Sequence, residues 1–202
     1  MGKKAYHHGN LREALVAAAR DILDTRGVEG LSLRKVAQQT GVSPTALYSH
    51  FQDKRELLAM LAIEGFESLT ARMEQEAMQN SSPTAGSGSQ LAGLARGYVL
   101  FAIDNRALFQ LMFGREIGDL LDFPQLVEAG SRAYTMMADS VARAVQESDI
   151  LEKRSIAATA AWSTVHGLAM LILDGRVCAA DYGASDNGEL VDRVCGMLSF
   201  GS

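Results

Sequence analysis

The chain has 202 residues, 48% of them apolar, with three prolines and two cysteines. That composition excludes a disordered chain and fills one large domain or two small ones; Cys178 and Cys195 make neither a disulfide framework nor a zinc spacing and read as partly buried thiols in a reducing cytoplasm. The net charge of −5 is unevenly divided: residues 1–60 hold nine Lys and Arg against six Asp and Glu (+3), residues 61–202 ten against eighteen (−8), so only the head suits a polyanion.

MGKKAYHHGN has charges with no apolar run behind them, so it reads as no signal peptide, and Tyr6 stands where a myristoylation site wants Ser or Thr. Lys3, Lys4, His7 and His8 are either a mobile arm reaching phosphates or an unstructured terminus. LREALVAAARDILDTRG then spaces Leu11, Leu15, Ala18, Ala19, Ile22 and Leu23 as one helical face, ending at Gly27. Ser32 caps a short helix over 33–40, stopped by Gly41. Ser43 caps the next, with Pro44 at its first position, where a missing N–H costs nothing. Asp53 caps a fourth, Glu56 completes a capping box, and that helix runs on through LLAMLAIEGFESLTARMEQEAM. NSSPTAGSGSQ reads as a flexible connection. Further helices are predicted near 91–104, 106–113, 124–148, 153–174 and 188–200, with no strand signal and no internal repeat. IAATAAWSTVHGLAMLIL, uncharged over residues 156–173, reads as a buried helix of a soluble protein rather than a membrane span, because Thr159, Ser163, Thr164, His166, Gly167 and five alanines dilute it.

Helices two and three, joined by the GVS turn, form a helix-turn-helix pattern. At 100° per residue Leu47 and Phe51 share a face that can bury against Leu15, Leu33, Val36 and Ala37. Thr45 and Ser49 lie opposite, Ala46 beside them, with Tyr48 and His50 on the flanks. A helix in a DNA major groove needs short floor-facing side chains and hydrogen-bond donors toward the phosphate walls. By itself, a solvated surface helix explains the same residues. The helix starts favour the groove reading: Arg34-Lys35 and Lys54-Arg55 put cations where the helix dipole disfavours them, and an external phosphate would offset that.

The run LREALVAAARDILDTRGVEGLSLRKVAQQTGVSPTALYSHFQDKRELL, and above all GVSPTALYSHFQDK, resembles the DNA-binding domain of TetR-family transcriptional regulators. The resemblance implies an all-α fold: a three-helix helix-turn-helix head (residues 1–55) joined by a long fourth helix to a helical effector-binding and dimerisation domain (residues 56–202). It implies that positions matching Tyr48, His50 and Lys54 touch phosphates, and that those matching Arg34, Ser43, Thr45 and Ala46 lie at or near DNA. It implies a homodimer through the last two helices, binding a palindromic operator in double-stranded DNA. AWSTVHGLAML is similar to a Trp-His-Gly subgroup, at Trp162, His166 and Gly167.

Such regulators usually bind a small molecule in the body and then leave DNA. Tyr98, Phe101, Phe113, Met137, Trp162 and His166 are candidate effector contacts; each is also an ordinary core residue by type. His166 either hydrogen-bonds a ligand or satisfies a core carbonyl. No catalytic pair, HExxH or phosphate loop is found, so no enzyme, metal or cofactor is expected. The rival reading is an architectural or protein-partnered DNA-binding protein with no small-molecule effector.

Overall fold

The computed structural model describes residues 8–80, 87–144 and 151–197, and among them there are helices and turns but no strand. In chain order these are α1 (His8–Gly30), α2 (Leu33–Thr40), α3 (Pro44–Tyr48), α4 (Lys54–Asn80), α5 (Ser87–Asp104), α6 (Arg106–Phe113), α7 (Pro124–Ala144), α8 (Leu151–Leu173) and α9 (Asn187–Met197). Two 3-10 turns that the sequence reading lacks stand at Leu120–Asp122 and Ala179–Tyr182. This is the all-α architecture implied by the resemblance. Lys3, Lys4, His7, the centre of the 80–90 connection and Leu198 lie outside the described residues, as does the side chain of His8.

The chain packs as two compact units, one of residues 1–65 with 106–127, the other of residues 66–105 with 128–202. The unbroken α4 contributes its first part to one and the rest to the other.

In the first unit α1 packs against α2 and α6, and Leu15, Ala19 and Leu23 of α1 are fully buried with Val36 of α2 and Phe51. The regular helix of α1 ends at Gly27, as the sequence predicts. Gly27 takes a left-handed φ of 66° that breaks the helix, and one further turn follows to Gly30. The expected caps form: Ser32 Oγ accepts from Lys35 N, and Ser43 Oγ from Ala46 N. Asp53 Oδ1 accepts from Glu56 N at 2.9 Å, while Glu56 reaches back one residue further than a standard box, to Gln52 N at 2.7 Å. Asp186 and Glu189 repeat this at the start of α9, where Ser185 N and Arg193 hold the Glu189 carboxyl down to about 2.

In the second unit α5 packs on both α8 and α9. Its contact with α4 depends on two glycines one turn apart. A Cβ at Gly93 would lie 2.6 Å from Ala77 Cα, and one at Gly97 2.6 Å from Met73 Cα and 2.8 Å from Arg72 O. The obstacles are backbone atoms, so only glycine permits this approach. Beside it the almost buried Glu76 carboxylate meets Arg72 at 3.1 Å and Arg96 at 3.4 Å, and Arg96 also holds Asp192 at 2.7 Å. One charge network thus joins α4, α5 and α9.

α8 departs from the sequence reading. Ile156–Leu173 has the length and composition of a membrane span, but only 33% of it is buried. The physical reason is an apolar surface that runs round the helix while the packing partner α5 covers one side. The uncovered side is a stripe of Ile156 (63% exposed), Ala160, Ser163 and Leu171 (43% exposed), with half-buried Gly167 between.

Gly97→Ala is expected to destabilise the protein. Better helix propensity gains about 1 kcal/mol, but forcing a methyl into backbone costs about 1–3 kcal/mol or more. Urea unfolding followed by circular dichroism should give a lower midpoint; an unchanged or raised midpoint would show that α5 can step back freely.

Candidate functional site

The helix-turn-helix is built from α2, α3 and the turn Gly41–Ser43. Gly41 closes α2 in the left-handed region at φ 71°, its N–H returning to Gln38 O. α3 is short. It ends at Tyr48, and Ser49 turns its hydroxyl back onto Ala46 O at 2.7 Å. His50 therefore sits in the turn beyond the helix and not on its flank, held by its N–H on Leu47 O at 2.9 Å. The physical reason is competition from the next helix, whose caps recruit Gln52 and Asp53.

Leu47 and Phe51 are buried, as the helical wheel requires. Ser43, Thr45 and Ser49 are exposed, Ala46 and His50 half-buried, and Tyr48 is 58% exposed. A short polar face thus stands opposite an apolar anchor, and its side chains reach no partner beyond their own turn among the described residues.

The cations at the helix starts need a correction. Lys35 Nζ donates to Gly30 O at 2.7 Å and Lys54 Nζ to Val28 O at 2.8 Å. Arg55 Nε donates to Ile117 O at 2.7 Å, and its Nη2 meets Asp122 Oδ2 at 2.8 Å. Three of the four find acceptors within the chain, so an external anion is not required to explain their position. Arg34 is exposed and makes no side-chain hydrogen bond or ion pair among the described residues.

Five of the six candidate effector residues fall in the second unit: Tyr98, Phe101, Met137, Trp162 and His166. Phe113 belongs to the first, tilted against Phe109 at 4.8 Å between ring centres. Tyr98, Phe101 and Met137 are buried, Trp162 and His166 half-buried. Tyr98 and His166 share a hydrogen bond of 2.9 Å between the hydroxyl and Nδ1. Trp162 stands edge-on to Tyr98 at 5.8 Å and tilted against Tyr134 at 5.2 Å. Burial pushes the Tyr98 hydroxyl up and the His166 imidazole down, so both are neutral at pH 7. A cleft of about 530 Å³ between α4 and α7, lined by Thr70, Glu74, Arg132, Met136 and Arg143 among others, includes none of these six.

The match to known proteins decides what this arrangement belongs to. Residues 91–198 match the family described as the tetracyclin repressor-like C-terminal domain, and residues 15–61 that described as bacterial regulatory proteins of the tetR family. The chain belongs to the TetR family. The Trp-His-Gly subgroup is not confirmed by these matches. An uncharacterized HTH-type transcriptional regulator, YobS of Bacillus subtilis, is 30% identical over 102 residues, 50% of this chain and 51% of that protein. The Escherichia coli tetracycline repressor protein class D is 43% identical over 53 residues, 26% of this chain and 24% of its own length. The match thus spans about half or less of these curated relatives. A solved protein of unknown function from Rhodococcus sp. RHA1 is 36% identical, with a TM-score of 0.77 over 98% of this chain and 95% of that one.

His166 gives a TetR-family body a pH dependence. Its folded pKa is lowered, so as pH falls the unfolded chain binds a proton first. Its contribution to stability is complete above roughly pH 6.5 and is lost as pH falls toward the folded value. In urea unfolding at pH 8 and pH 5.5, His166→Gln should show a smaller loss between the two than wild type. Equal losses would mean that His166 does not carry the dependence.

Proposed function

We propose that this protein is a homodimeric, cytoplasmic transcriptional repressor that binds a palindromic operator and is released by a small-molecule effector. The observation that carries the reading is the exposed face of α3 and its C-cap, Thr45 and Ser49 with half-buried Ala46 beside them, held outward by buried Leu47 and Phe51. On this reading the head (residues 1–55) lays α3 in the major groove, where short hydroxyls and a methyl meet base edges. Arg34, Tyr48 and His50 face the phosphates, with Ser43 at the edge of the contact. Lys54 has two N–H groups left beside its bond to Val28 O, and so can serve both the fold and a phosphate.

A five-residue helix makes few base contacts, and two-fold symmetry supplies a second set one helical turn away. The uncovered stripe on α8 supports a second copy as its cover. Small residues at Ala160, Ser163 and Gly167 permit close packing, and Ile156 and Leu171 supply apolar area. In the body (residues 56–202), the aromatic and hydrogen-bonding cluster of Tyr98, Trp162 and His166, with Phe101 and Met137, supports an aromatic or apolar effector carrying one polar group. The effector releases DNA by binding more tightly to a dimer whose heads do not fit the groove spacing. The protein acts by binding and not by turnover.

Selection of bound duplexes from a random pool tests the reading. Enrichment of an inverted repeat with half-sites about one turn apart is expected; retention with no enriched motif would sink it in favour of architectural binding. On the selected operator, Arg34→Ala should lower the salt slope by about one unit per head. Thr45→Ala should leave the slope alone and relax preference at one base position, by about 1–3 kcal/mol at most.

A further inference from the structure

Arg55 occupies the first turn of α4, four residues beyond the buried Phe51, and its half-exposed guanidinium meets a segment far away in sequence. Nε donates to Ile117 O at 2.7 Å, and Nη2 lies 2.8 Å from Asp122 Oδ2 and 3.5 Å from Asp119 O. The guanidinium carbon stands 5.4 Å from the centre of the Phe123 ring. Gly118, at φ 81°, passes so close that a Cβ there would lie 3.2 Å from Nη2. All of these residues belong to the first unit. The ion pair alone is half-exposed and contributes little. The fork geometry matters more: one planar group meets two carbonyls, a carboxylate and a ring at fixed angles, which a lysine ammonium cannot do. Next to it Lys54 fastens the same turn to Val28 O of α1. The turn 49–53, between α3 and α4, therefore hangs from a helix start tied on two sides.

We propose that Arg55 is a positioning residue for DNA reading: it fastens residues 117–123 to the start of α4 and so sets how α3 is presented, without touching DNA itself. This rests on the DNA-reading function proposed above. It makes residues 117–123 part of the reading head in mechanical terms, although they lie more than sixty residues from it in sequence. Any event that pulls Asp122 away reaches α3 through one side chain.

Arg55→Met keeps the length and the apolar contact with Phe123 but loses every donor; Asp122→Asn keeps the shape and loses one charge. Two readouts are needed on the full chain. Hydrogen exchange, which needs no DNA, should quicken at 117–123 and at 49–53 in both variants. Affinity for the selected operator should fall about tenfold in Arg55→Met, a usual size for coupling between sites, and about two- to fivefold in Asp122→Asn. The double variant should be no worse than Arg55→Met. The salt slope should stay at the wild-type value in all three. The proposal is overturned if Arg55→Met lowers the slope by about one unit per head, since Arg55 would then be a phosphate contact. It is overturned equally if Asp122→Asn tightens binding, or if exchange at 49–53 is unchanged in both variants. Should wild type retain no duplex at all, the DNA-reading function fails, and the exchange result still decides whether Arg55 holds the turn.

Discussion

Two adjacent cations at the start of α4 turn inward, and the head depends on where they go. Lys54 closes on Val28 O, the carbonyl just past the point where Gly27 breaks α1. Arg55 closes on residues 117–122. Carbonyls near the end of a helix carry partial negative charge, and Lys54, from the start of another helix, adds a second donor to an oxygen that Leu31 N already reaches at 3.2 Å. The helix-turn-helix is thereby clamped at its rear, and its front is left polar and open. Core burial alone would hold Leu47 and Phe51 but would not fix the angle at which α3 leaves the turn.

The second unit solves a different problem, how to bring helices close without a large side chain between them. Gly93 and Gly97 let α5 lie on the backbone of α4. That places Arg96 and Arg72 within reach of Glu76, whose charge is almost buried and needs both. The neutral Tyr98–His166 pair sits one residue further along α5. If the tyrosine donates, the proton of the imidazole is on Nε2; if Nδ1 donates, Nε2 is an acceptor. The pair can thus present either hydrogen-bonding sense without a change in charge.

Much of the head is legible from its punctuation. Ser32, Gly41, Ser43, Pro44 and Asp53 each carry a backbone consequence that composition cannot hide, and all five act as their residue types dictate. The inward turn of Lys54 and Arg55 is not legible, because a cation's partner is set by tertiary distance: Val28 and Ile117 are 26 and 62 residues away. The position of His50 is lost for a related reason, since a helical wheel continues past the residue where the backbone stops being helical. In the body, helix periods show six candidate side chains but not which unit each joins, and Phe113 parts from the others on that account. The GLARG spacing at 93–97 was a signal available in the sequence: two glycines one turn apart inside an apolar helix mark a close backbone approach.

The acceptors around Arg55 have a consequence for how this sequence can change over time. Two of the three are main-chain carbonyls, of Ile117 and Asp119. A carbonyl is the same whatever side chain its residue bears, so the identity of residue 119 is free to drift as far as this contact is concerned. What cannot drift is the shape of the strap. Gly118 supplies a backbone angle and a clearance that another residue would not. Constraint therefore falls on one arginine and one glycine widely separated along the chain, and on the Asp122 carboxylate, while the side chain of residue 119 is left open by this contact.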